Sequence, residues 1–168
     1  MKNTIIITVS FVSLAFLLAL TAKSGLTSQN QVSSISSTNA KSNLRTEEIL
    51  YDFGTISMKN GNVTKEFTVV NPTENDIFVE KVFTSCMCTK AFLVLPDGDI
   101  KGPFGMPGMS YVPPANEVIK AGENRVIRVV YDPNAHGPAG VGRIDRFISV
   151  VEKNGGTVQF EIKANVTP

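Results

Sequence analysis

The chain has 168 residues, 16 Lys and Arg against 15 Asp and Glu, a formal net charge of +1 and no tryptophan. That length allows one domain with some chain to spare. Every acidic residue, and every basic one except Lys2, Lys23 and Lys41, falls from Arg45 onward. The folded part is therefore slightly negative and lacks the basic footprint of a nucleic-acid binder, so no nucleic-acid partner is expected.

Met1-Lys2-Asn3 is a short positive start, and Thr4 to Ala22 then runs without a charge, rich in Ile, Val, Leu and Phe. The apolar core of a secretory signal runs to roughly 7–15 residues. A membrane-spanning helix needs about 20. Residues 4–22 are nearer the second, and the residues around Ala22 suit cleavage poorly. Residues 1–22 therefore read as a signal anchor, with a cleaved signal peptide as the alternative. The expected partner of residues 4–22 is the membrane, through one N-terminal hydrophobic helix, with Lys23 onward outside. Residues 23–44 are rich in Ser, Asn, Gln and Thr, with no apolar period. Such a segment buries too little apolar surface to offset its ordering entropy and reads as a flexible, disordered stalk.

Residues 45–168 read as all-β. Ile49 to Phe53 is a short strand, and Lys59-Asn60-Gly61-Asn62 is a turn. Val63 to Val70 is a strand that stops at Asn71-Pro72, because proline cannot donate to a ladder. Ile77 to Phe83, Ala91 to Leu95 and Arg125 to Tyr131 are further strands. Ile144 to Val151 pairs across the Asn154-Gly155-Gly156 turn with a final strand. There Val158, Phe160, Ile162, Ala164 and Val166 alternate with polar residues. That period of two marks a half-buried strand. About seven short strands in this length argue an immunoglobulin-like antiparallel β-sandwich. Residues 101–114, "KGPFGMPGMSYVPP", and 132–142, "DPNAHGPAGVG", are dense in Pro and Gly and read as loops. Long loops of this kind are more often functional than filler.

Five blocks together carry a resemblance: Tyr51-Asp52-Phe53-Gly54-Thr55-Ile56, Lys65 to Asn71, Thr84-Ser85-Cys86-Met87-Cys88-Thr89, Lys120 to Glu123, and Val129 to Asp132. The chain from about residue 45 to 168 resembles a bacterial secreted family of domains of unknown function. That family is similar to the immunoglobulin-like domains of abnormal-spindle protein, hydin and major sperm protein. Its usual residue between the two cysteines is Gly, where this chain has Met87, and the Met-containing loop at 101–114 is an addition to the usual pattern. The resemblance implies an immunoglobulin-like sandwich outside the cytoplasmic membrane and no established activity.

Cys86 and Cys88 are the chain's two cysteines, and three readings stay open for them. As small buried thiols they would be inert core residues. As a disulfide they are poorly spaced if extended, since alternate strand residues stand about 6.5–7 Å apart. An exported location nevertheless favours oxidation. As a soft-metal clamp, two thiolates on one face can share one ion, copper or zinc. Met106, Met109 and the lone histidine, His136, are then the candidate additional ligands. A thiol–disulfide enzyme is disfavoured, because the Cys-x-x-Cys at a helix start is missing. His136 in a Gly/Pro-rich loop offers little to a catalytic triad, and no enzyme is expected. The resulting expectation is a non-catalytic, extracytoplasmic, membrane-anchored binding or structural module of the cell envelope, with a protein partner and no cofactor. A copper- or zinc-binding protein using the Cys-x-Cys pair is the alternative.

Overall fold

A computed structural model describes residues 40–168. The expected N-terminal helix and most of the expected stalk lie outside the described residues. Among the described residues, no helix is long and apolar enough to cross a membrane.

Ten strands follow one another: β1 (Ala40–Lys41), β2 (Leu50–Ser57), β3 (Val63–Val70), β4 (Ile77–Thr84), β5 (Thr89–Val94), β6 (Ile100–Phe104), β7 (Glu117–Ile119), β8 (Asn124–Tyr131), β9 (Gly142–Glu152) and β10 (Gly156–Thr167). They form two open sheets packed as a sandwich. One sheet runs β10–β9–β4–β7, with β1 and β2 both paired to β10, and the other runs β3–β8–β5–β6.

All seven expected strands are present within a few residues of their expected ends. The three additional ones correct the expected count, and each has a physical reason. β1 is two residues long, too short to show a period. β7 has three residues, against β4. β6 takes up the first four residues of the stretch expected to be a loop, and pairs with β5 at the outer edge of its sheet. Pro103 is tolerated there because an edge strand need not donate on both sides. Gly102 is required there: a Cβ on it would stand 3.0 Å from the Ala91 carbonyl oxygen.

The expected all-antiparallel pairing also needs correction. β1 and β2 run parallel to β10, with Ala40 opposite Gly156 and Tyr51 opposite Ile162. The other pairings are antiparallel.

The core lies between the sheets. Val158, Phe160, Ile162, Ala164 and Val166 of β10 are buried, as their alternation requires. Phe67 of β3, in the opposite sheet, stacks on Phe160 with ring centroids 4.6 Å apart. Residues 42–44, expected to belong to the stalk, are instead built into the sandwich. Leu44 is buried in the core. The buried Glu152 carboxylate accepts from the Ser42 hydroxyl, and from the Asn43 amide at 2.9 Å. A polar Ser-Asn pair gives no apolar signal in sequence, yet here it satisfies a buried carboxylate that would otherwise carry a large desolvation cost.

Candidate functional site

The cysteines sit at the corner where the chain crosses between sheets. β4 ends at Thr84 in one sheet and β5 begins at Thr89 in the other. Ser85 to Cys88 are therefore a turn and not a strand end, closed by the Thr89 amide donating to the Cys86 carbonyl at 3.1 Å. The turn brings the two Cα atoms to 5.3 Å, and the cysteines are joined as a disulfide. That distance is inside the usual disulfide range. The strand spacing that disfavoured the bond does not apply, and the reading as two reduced, inert thiols is corrected accordingly.

Hydrogen bonds fix this corner to three neighbours. The Ser85 amide donates to the Phe147 carbonyl on β9, and the Phe147 amide returns a bond to Ser85 Oγ, both at 2.9 Å. The Thr84 amide donates to the Gly105 carbonyl at 3.0 Å, which anchors the start of the loop after β6. The Asp132 amide donates to the Cys88 carbonyl at 2.9 Å, which anchors the start of the loop after β8. The two Gly/Pro-rich loops singled out in the sequence are thus both tied to the cysteine turn.

Inside the second loop, Asp132 Oδ1 accepts from the Asn134 amide at 2.8 Å. Asn134 Nδ2 in turn donates to the Met58 carbonyl at 2.9 Å. This pinned turn presents His136, whose Nε2 lies 3.1 Å from Cys86 Sγ. Gly140 packs behind it, where a Cβ would stand 3.3 Å from His136 Cβ. In the first loop, the Met109 amide donates to the Met106 carbonyl at 3.3 Å. Pro107 and a positive-φ Gly108 fill the middle of that turn, the residue choice of a type II turn. Its two ends are the methionines. Cys86, Met106, Met109 and His136 border one open, shallow depression, with Met87 and Arg146. Cys88 is only 2% exposed and Cys86 is partly buried.

Every candidate ligand is thus at this corner. The ligand atoms of Cys86, Cys88 and His136 lie within 4.8 Å of one another. One partner escaped the sequence reading. Arg146 Nε donates to Cys88 Sγ at 3.1 Å. Its signal was present: Arg146 shares strand parity with Ile144 and Ile148, so a charged residue occupies the inward register of β9.

The disulfide does little for the fold. One residue separates its cysteines, and the chain-entropy estimate for so small a loop is about 1.6 kcal/mol, against about 3 for a 15-residue loop. It joins no distant elements, so its consequence is local: it sets the sulfur positions at an exposed corner.

Residues 44–94 match a family described as "Protein of unknown function (DUF1573)". No curated protein matches the chain. Among solved structures, 80% of the chain aligns with 51% of a protein of unknown function from Porphyromonas gingivalis W83, at 14% identity and a TM-score of 0.52. A second is a family 123 glycoside hydrolase from Clostridium perfringens, 22% of which aligns with 70% of this chain at 6% identity and a TM-score of 0.50. A third is an ASH/PapD-like domain of human CEP192, 87% of which aligns with 76% of this chain at 11% identity and a TM-score of 0.45. The chain spans about half the length of the first and about a fifth of the second. At such identities the likeness concerns the sandwich fold.

Proposed function

We propose that the chain is an extracytoplasmic, membrane-tethered immunoglobulin-like module that binds a protein partner of the cell envelope and carries out no catalysis. The observation that carries this reading is the apolar surface gathered around the cysteine corner. Met87 is 47% exposed and Met109 59%, both bordering the depression beside the cysteines, and Tyr111, two residues further along the same loop, is 82% exposed. Exposed apolar side chains grouped on loops of a rigid sandwich suit a protein contact. Tyr and Met are enriched in such contacts. The location is supported by the apolar run at residues 4–22, the serine-rich stretch after it, and a disulfide, which persists in oxidising compartments.

Site-specific photo-crosslinking in intact cells tests the reading. A photoreactive residue at Met109 or Tyr111 is expected to give one discrete adduct with an envelope protein. The same group at Lys163, outside this corner, is expected to give none. Identical adducts from all three positions, or none from Met109 and Tyr111, would overturn it.

A further inference from the structure

We propose that opening the Cys86–Cys88 bond turns this corner into a site for a soft monovalent cation, Cu(I), held by both cysteine sulfurs and His136 Nε2.

The donors are already assembled. All three ligand atoms lie within 4.8 Å of one another, with Cys86 Sγ and His136 Nε2 at 3.1 Å. A three-coordinate centre with bonds of about 2.0–2.3 Å sets its ligands roughly 3.5–4 Å apart. The imidazole has only to move out by a few tenths of an ångström, and the two sulfurs separate once the bond between them is gone. The Cα separation of 5.3 Å leaves room for that.

The choice of cation follows from softness and charge. Thiolates and thioethers select Cu(I). Met106 and Met109 supply two thioethers at the rim, on flexible side chains able to close over an ion. Two thiolates and one Cu(I) leave a net charge of −1, and the Arg146 guanidinium, already bonded to Cys88 Sγ, balances it. An outer partner of this kind orients and tunes a ligand. A structural zinc ion would call for a fourth strong ligand, and no carboxylate joins the cluster among the described residues.

The opening step is thiol–disulfide exchange with an external dithiol. The dithiol's thiolate attacks the partly exposed Cys86 sulfur, and the S–S bond breaks with its electron pair going to Cys88 Sγ, beside Arg146. The second thiol of the reductant then releases Cys86. The pair has gained two electrons and two protons, and the reductant has become a disulfide. Cu(I) binding afterwards displaces the two thiol protons. The oxidised corner has no thiolate to offer, so cation affinity follows the redox state.

This proposal shares the cysteine corner with the partner surface, but its ligands are Cys86, Cys88 and His136, so cation transfer and crosslinking can each fail without the other. The full-length chain, purified in detergent, is reduced with a phosphine, freed of reductant and titrated under argon against Cu(I) held by bicinchoninate. One equivalent of Cu(I) per reduced chain is expected to transfer, and none to the oxidised chain. His136→Ala, a change at an exposed loop residue, is expected to weaken the transfer by at least about tenfold, and Arg146→Gln by about tenfold. No transfer to the reduced chain, equal transfer to the oxidised chain, or unchanged affinity in His136→Ala would overturn the proposal. Zn(II) held as tightly as Cu(I) in a parallel titration would overturn the choice of cation.

Discussion

His136 Nε2 and Cys86 Sγ are 3.1 Å apart although they lie 50 positions apart in the sequence. Two features impose that contact. The Asp132 amide is bonded to the Cys88 carbonyl, and Asn134 is tied back to Met58. The loop therefore leaves β8 along a set path, and His136 reaches the disulfide as a consequence.

The small loop closed by the disulfide leads to the first prediction. Reduction without mutation should lower stability by only about 1.6 kcal/mol, the chain-entropy value for such a loop. Urea unfolding with and without a phosphine reductant checks this. A loss above about 4 kcal/mol would mean that the bond holds the sandwich together.

A second prediction concerns the ions between the sheets. Glu117 on β7 accepts from Arg125 Nε on β8 at 2.7 Å and from Lys101 Nζ on β6 at 2.8 Å. Arg125 and Glu117 are both buried. Glu117→Leu leaves the guanidinium without its main partner and is expected to cost about 3–5 kcal/mol. Adding Arg125→Met should recover part of that loss, because no buried charge is then unpaired. Urea midpoints of the two single variants and the double variant measure the coupling. Strict additivity would contradict it.

Much of this was legible beforehand, and the exceptions have reasons. Alternation located β10 and its buried face, because one side of that strand meets the core and the other meets water. It failed at β6, where Pro103 and Gly102 look like loop residues: the edge position tolerates the proline, and the close approach to the Ala91 carbonyl requires the glycine. It failed at Ser42 and Asn43, whose role is to satisfy Glu152 from across the sheet, a relationship with no local pattern. The candidate ligands Cys86, Cys88, His136, Met106 and Met109 could be named from residue type alone. Their convergence could not, since it depends on the hydrogen bonds of Thr84 and Cys88 to two loops. The disulfide is poorly spaced only if the cysteines are extended, whereas they occupy the turn that crosses between the sheets.

Alkaline stability supplies a third test. Tyr131, buried at the end of β8, has its hydroxyl pKa raised above 10.0, mainly by burial, with Arg146 opposing and Asp132 adding to the rise. The folded state thus holds this proton more tightly than the unfolded state does. Its contribution to stability is complete below the unfolded value and is lost as pH rises through the folded one. Between pH 9 and 11 the urea midpoint of the wild type should fall further than that of Tyr131→Phe. Equal falls would show that Tyr131 is not responsible.

The cysteine corner acts as one unit if the contact between His136 and Cys86 survives reduction. X-ray absorption at the copper edge of the reduced, Cu(I)-loaded full-length chain tests this most directly. The expected inner shell has two sulfurs and one nitrogen, and His136→Ala removes the nitrogen. A shell of sulfur alone in the wild type, or a nitrogen that persists in His136→Ala, would contradict the account.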